Sequence, residues 1–301
     1  MRPIVVVGAV HHDVIVDAPR LPKVDETLVG QSVRYAFGGK GGNQAVAAAR
    51  FASGFGASVH FAGCVGYDEP GADAVRTLAE AGVDVTGLQR VDEPTGMSVA
   101  ISLPDGNYGA VIVSSSNLAF DPLKLVLPPE PAVLVLQNEL SPAITLAVAQ
   151  MASKRDATII MNAAPARPLP AALDTLVDVL VVNRVEAAGL LERDGRHLKP
   201  IEAATELRGD RTAAIVTLGG GGLCVATAIG VEALPPHTVA VQSTHGAGDA
   251  FIGALSAAIA AGGELIEACR FANAAAALHV ASPPALRDRV TEREVRALMA
   301  Q

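Results

Sequence analysis

The sequence predicts an α/β fold: a central, mostly parallel β-sheet flanked by helices, with a small β-sheet lid. Apolar, β-branched runs alternate with Ala- and Leu-rich helical patterns along most of the 301 residues. The runs are continuously apolar, as in strands covered on both faces by crossover helices. Residues 14–34 and 95–113 break the rhythm with alternating strands and no helices, which reads as a second, smaller sheet beside the first.

Taken in order, buried strands are expected at 4–10, 59–64, 132–137, 157–162, 178–183 and 213–218. Helices are expected at 43–51, 68–81, 142–152, 185–193 and 246–261, with a buried Ala-rich helix at 268–280. Leu103-Pro104-Asp105-Gly106-Asn107 is a hairpin-turn signal inside the second β segment, and Thr238-Val239-Ala240-Val241 looks like one more strand. The proline cluster 128–131 reads as a loop entry, not a domain linker. The chain is therefore expected to be one domain, 1–301, with lid strands from about 12–36 and 95–114.

Composition narrows the function. Half the residues are hydrophobic and 18% are charged, which argues against disorder. A net charge of −8 argues against nucleic acid or an anionic membrane as partner, though not against a nucleotide. The three cysteines, Cys64, Cys224 and Cys269, are far apart and form no metal or disulfide pattern. The N-terminal apolar run stops at His11-His12-Asp13, too soon for a signal peptide or a membrane span, so a cytoplasmic location is expected.

Thr244-His245-Gly246-Ala247-Gly248-Asp249 is the most informative stretch. Glycines opening a helix turn backbone N–H groups toward one point, which the positive end of the helix dipole also faces. An anion fits there, and a carboxylate beside it suits phosphoryl transfer, taking the proton of an attacking hydroxyl. The plainer reading is a glycine-rich helix start with an ordinary N-terminal acid.

Phe37-Gly38-Gly39-Lys40-Gly41-Gly42-Asn43 places four glycines before a second helix, as for close backbone approach to a ligand. It is neither a Walker A loop nor a dinucleotide fingerprint. Asn43 suits a polyol and Lys40 a phosphate. Asp13, at the end of the first strand, can accept from neighbouring hydroxyls. His11 beside it is either a substrate contact or a satisfied surface histidine. Asn183-Arg184-Val185-Glu186 fits a capping box, or a site for hydrated magnesium and phosphates. Thr217 and Gly219, before more glycines, border either a nucleotide or a loose hairpin turn. Glu139 is either a ligand contact or a charge at the start of the helix that follows it. Asn273 is weak by itself.

Together these motifs resemble the ribokinase/PfkB carbohydrate kinase family, nearly collinearly with the whole chain. Gly39-Lys40-Gly41-Gly42-Asn43-Gln44-Ala45, Asn162-Ala163-Ala164-Pro165-Ala166-Arg167 and the run from Arg270 to Ala277 add to the likeness. The resemblance implies Asp249 as catalytic base and Gly246, Ala247 and Gly248 as an anion hole. It implies His11, Asp13, Gly39, Lys40, Asn43 and Glu139 around the sugar. Asn183, Thr217, Gly219 and Asn273 fall on the nucleotide side, with Glu186 and Asn183 holding magnesium through water. ATP and Mg2+ are the implied cofactors, a small sugar the implied partner, and a homodimer through the lid the implied assembly.

Two departures stand out. His11 replaces the family's sugar-contacting Asn, so ribose does not follow directly. Ser243 replaces the Asp that helps build a potassium (K+) site in ribokinases, and the segment completing that site reads Ala281-Ser282-Pro283-Pro284-Ala285-Leu286. The sequence therefore leaves K+ open. The expected activity is ATP-dependent phosphorylation of a primary hydroxyl on a small sugar, most readily a pentose such as ribose. Rival readings are a nucleoside kinase, disfavoured by only ten aromatic residues (three Tyr, seven Phe), a ketose-phosphate kinase, and a non-catalytic sugar or nucleotide sensor.

Overall fold

A computed structural model describes residues 1–104 and 108–301. In chain order its elements are β1 (Ile4–Val7), β2 (His11–Asp17), β3 (Ser32–Gly38), α1 (Lys40–Phe55), β4 (Val59–Gly66), α2 (Glu69–Glu80), β5 (Asp84–Val91), β6 (Met97–Ser102) and β7 (Tyr108–Val113). Then come β8 (Val133–Gln137), α3 (Pro142–Ser153), β9 (Thr158–Asn162), α4 (Ala171–Asp174), β10 (Val179–Asn183), α5 (Arg184–Leu190), α6 (Pro200–Arg208), β11 (Ala213–Thr217), β12 (Leu223–Thr227) and β13 (Gly230–Leu234). Helices α7 (Ala247–Ala260), α8 (Leu265–Ala281) and α9 (Glu292–Met299) close the chain.

The main sheet has nine strands in the order β13-β12-β11-β10-β9-β8-β1-β4-β5. All of its pairings are parallel except β11 with β12 and β12 with β13. Alternation along each strand feeds two cores. Ile4, Val6, Val133 and Val135 pack with residues of α1, α7 and α8, while Val5, Val7, Leu134 and Leu136 pack with residues of α3 and α6. The second sheet has four strands, β3-β2-β6-β7, and forms the lid. Asn117 secures its root: this fully buried side chain accepts from Val10 N–H at 3.0 Å and donates to Val10 carbonyl at 2.9 Å.

Several expectations need correction. The first strand stops at Val7, and a new strand begins at His11 in the other sheet. Helix α1 begins at Lys40, so Gly41 and Gly42 lie inside its first turn and do not precede it. Residues 238–241 form no strand: they are mostly exposed, follow Pro235-Pro236, and pair with no ladder. Strands β5, β12 and β13 and helices α4, α6 and α9 were not anticipated. The hairpin-turn signal at 103–107 falls largely on residues 105–107, which lie outside the described residues.

Helices α1 and α7 cross closely enough that a Cβ added to Gly253 would sit 2.5 Å from Ala47 Cβ and 2.5 Å from Ala48 N. That approach brings the starts of the two glycine-led helices together. Gly253→Ala is expected to destabilise the protein by about 1–3 kcal/mol through overpacking, although alanine favours a helix by about 1 kcal/mol over glycine. Urea unfolding checks this: the midpoint should fall without a change in slope.

Candidate active site

Strand β1 lies between β8 and β4, so the chain leaves it in opposite directions across the sheet. Ligands of open α/β sheets bind beyond the carboxyl ends of strands at such a switch point. Here that region collects His11 and Asp13 from the start of the lid, Glu139 from the turn after β8, and the starts of α1 and α7. The polar strand ends Gln137, Asn162, Asn183 and Thr217 close four neighbouring strands of the same sheet.

A chain of buried amides fixes Asp249. Gln137 Nε2 donates to Gln44 Oε1 at 2.8 Å. Gln44 Nε2 donates in turn to Asn162 Oδ1 and to Asp249 Oδ1, each at 3.0 Å. Gln44 and Gln137 are almost wholly buried. Asp249 occupies the first turn of α7, a helix buried along most of its length. Burial raises the Asp249 pKa, while Lys40 and hydrogen bonding from Gln44 and Asn43 pull it back. The carboxylate is thus oriented and made more basic than an exposed one.

Lys40 is the electrostatic centre. Its charge acts on His11, Glu139, Glu186 and Asp249. Among the described residues it makes no ion pair, so its ammonium is free for an anion. Glu139 Oε2 accepts from Lys40 N–H at 2.7 Å. Glu139 therefore caps α1, 99 positions away in sequence, and not α3, which Ser141 caps. Burial pushes the Glu139 carboxyl to about 7, with Asp249 and Asp13 adding to the rise. Burial also raises Asp13, against the pull of His245, His12 and a bond to Ser98.

His11 is buried, which removes the surface-histidine reading. Burial and Lys40 lower its pKa to about 4, and its Nε2 has no partner among the described residues. Gly39 has φ +87°, and a Cβ there would lie 2.6 Å from Ala9 carbonyl, so what approaches this glycine is the chain itself.

The second group of predicted residues is contiguous with the first. Asn183 pairs in register with Thr217 across β10 and β11. Gly219 opens the short turn after β11, which abuts Pro235, and Asn273 Nδ2 donates to Pro235 carbonyl at 2.8 Å. The 219–222 turn is also the hairpin joining β11 to β12. Asn183 and Glu186 form a complete capping box, with both reciprocal bonds at 2.8 Å. That box uses only Oε2 of Glu186; Oε1 accepts no bond among the described residues. Burial raises this carboxyl, Lys40 lowers it and Asp249 raises it, which ties Glu186 to the first group. Among the described residues no cluster of three or more His, Cys, Asp or Glu side chains is placed to hold a metal. One free carboxylate oxygen fits a hydrated magnesium carried by phosphates.

At the start of α7, Gly246 has φ +76° and a Cβ there would meet His279 Nε2 at 3.1 Å. Ala247 N–H makes a long 3.3 Å bond to Thr244 carbonyl. The Gly248 and Asp249 amides have no acceptor within their own helix. Because Glu139 occupies the start of α1, the start of α7 is the one left for an anion.

The pfkB family carbohydrate kinase model matches residues 1–289. The chain belongs to the pfkB carbohydrate kinase family. Ribokinase of Bacillus subtilis is 32% identical over all of both chains. Ribokinase of Haemophilus influenzae is 31% identical over 93% of this chain and 92% of its own. The solved structure of Arabidopsis thaliana ribokinase complexed with ribose and ATP superposes with a TM-score of 0.86 at 27% identity, covering 100% of this chain and 99% of that one. Like those carbohydrate kinases, the pfkB chain described here has a main sheet flanked by helices.

Sequence reasoning left out Gln44, Gln137, Asn117 and Asn162 as site-building residues. The signal was available: Gln137 and Asn162 each follow at least three consecutive apolar residues at the end of a strand.

The raised Glu139 pKa has a consequence for stability. An unfolded glutamate titrates near 4.5, so between about 4.5 and 7 the folded chain holds a proton that the unfolded chain has lost. Its contribution is complete below that window and declines as pH rises through it. Glu139→Gln, which keeps an acceptor for Lys40 N–H, should therefore gain stability relative to the parent as pH rises from 4.5 to 7. Paired denaturant titrations across that range check it; a constant difference would contradict the assignment.

Proposed function

We propose that this ATP-dependent sugar kinase phosphorylates a primary hydroxyl of ribose or a closely ribose-like pentose. The observation that carries the reading is the hydrogen-bonded Asp249 carboxylate at the glycine-led start of α7, in one electrostatic neighbourhood with Asp13, Lys40 and Glu139. Ribokinases at about 30% identity over nearly the whole chain support the sugar class.

In this reading Asp13, Asn43 and Glu139 orient the sugar beneath the lid, with His11 and the Gly39 backbone beside them. Asp249 takes the proton of the attacking hydroxyl. Lys40 and the Gly246, Ala247 and Gly248 amides face the transferring phosphoryl group, where fixed donors stabilise developing charge. The Ala247 bond to Thr244 is long enough to be exchanged for a phosphate oxygen. Thr217, Gly219 and Asn273 border the nucleotide. Glu186, with Asn183, would hold magnesium through water, and the ion would neutralise charge on the phosphates.

Residues 1–301 work as one kinase unit with the four-stranded sheet as lid. Apolar side chains exposed on one face of that sheet, Val33, Tyr35, Val99 and Val111 among them, suit pairing of two copies. No helix is long and apolar enough to cross a membrane among the described residues, and a cytoplasmic location fits the kinase reading.

The test is a coupled ADP assay with ATP and magnesium against pentoses, hexoses, ketose phosphates and nucleosides. Ribose is expected to give the highest kcat/KM, and preference for a nucleoside or a sugar phosphate would overturn the substrate. Asp249→Asn is expected to lower kcat by about 10²–10⁴-fold with the fold intact by circular dichroism. Near-normal turnover would remove Asp249 from the role of base.

A further inference from the structure

The loop that carries Asp249 is fastened by a single guanidinium. Arg287 comes from the short 3-10 turn Pro284–Arg289. Its Nη1 donates to His245 carbonyl and its Nη2 to Ser243 carbonyl, both at 2.9 Å. Its Nε reaches Ser282 carbonyl at 3.4 Å. One planar cation therefore gathers three main-chain oxygens from two segments about forty residues apart.

His279 completes the arrangement. Its Nε2 lies 2.9 Å from the same His245 carbonyl. A carbonyl only accepts, so Nε2 carries the ring proton. Burial and the nearby arginines hold the His279 pKa at about 4, so the ring is neutral. The charge on these oxygens is that of Arg287.

Converging main-chain carbonyls are what a dehydrated monovalent cation takes as ligands. A potassium ion does not fit here. All three oxygens already accept from the guanidinium, and position 243 is Ser243, which brings no carboxylate; its hydroxyl accepts from His245 N–H at 3.4 Å. The two charges would also repel.

The bonds to Arg287 have a directional effect. In a trans peptide the C=O and the following N–H point opposite ways. Holding His245 carbonyl on Arg287 aims Gly246 N–H to the opposite side, at the very start of α7.

We propose that Arg287 is a tethered internal cation that does the work of a monovalent metal ion, so the Ser243–Asp249 loop holds its working shape without potassium. The inference rests on reading that loop as the phosphoryl-transfer loop. Arg287 is a positioning residue, since it touches carbonyls and not substrate.

The experiment combines kinetics with amide hydrogen exchange. The parent enzyme is assayed in potassium, sodium and choline chloride at equal ionic strength, and the same turnover is expected in all three. Arg287→Met in choline is expected to lose about tenfold or more in kcat, as displaced catalytic groups do, and to exchange faster at the 243–249 amides. Potassium or added methylguanidinium should restore both, and Arg287→Lys should keep most of both. Strong potassium stimulation of the parent, or an Arg287→Met enzyme with full turnover and unchanged loop protection, would overturn the proposal. If Arg287→Met does not fold, the parent's salt series and Arg287→Lys decide. Loop protection is read without turnover, so an inactive loop assignment and a wrong Arg287 assignment give different results.

Discussion

The Gln44 carboxamide is the interaction on which the site depends. It accepts from Gln137 at the end of β8 and donates to Asn162 at the end of β9 and to Asp249 in α7. One buried side chain thus registers two strands and two helices against each other. Leaving any one of these groups without its partner would cost about 1–3 kcal/mol, so the network specifies a single arrangement. It needs α1 and α7 in close contact, which Gly253 and Ala47 permit.

Burial and charge then divide the labour. The apolar surroundings of α7 raise Asp249, and the same desolvation raises Glu139, Glu186 and Asp13. Four acids around one lysine would repel a phosphate by themselves. The start of α7 and Lys40 provide opposing charge, and in the proposed reading a phosphate-borne magnesium would add to it. Glu139 caps the start of α1, so in the proposed reading the start of α7 is the helix dipole left to receive the anion.

The alternation of apolar strands and helices made the main sheet legible, because strands buried on both faces leave no polar residue until their ends. The lid was legible for the opposite reason: its strands alternate. Strands β12 and β13 were missed because glycines at 219–222 and 230 mask short antiparallel strands, and β5 because Thr86, Gly87 and Gln89 interrupt its apolar pattern. The 238–241 segment has strand composition but pairs with no strand among the described residues. Among the candidate site residues, Asp249, Lys40 and Glu186 follow from local glycine and capping patterns. Gln44 does not, since a glutamine in a helix looks like surface until α1 is known to be buried there. Arg287 lies in an exposed-looking turn, and only the fold brings it to Ser243 and His245.

The acid limb of the kcat/KM profile in a Gln44→Met variant tests the central claim most directly, because that limb reports protonation of the free enzyme's base. Gln44 lowers the Asp249 pKa by hydrogen bonding, so its loss should move the acid limb to higher pH and reduce the plateau. A folded variant whose acid limb and plateau match the parent's would show that the buried amide chain does not hold the carboxylate proposed as the base.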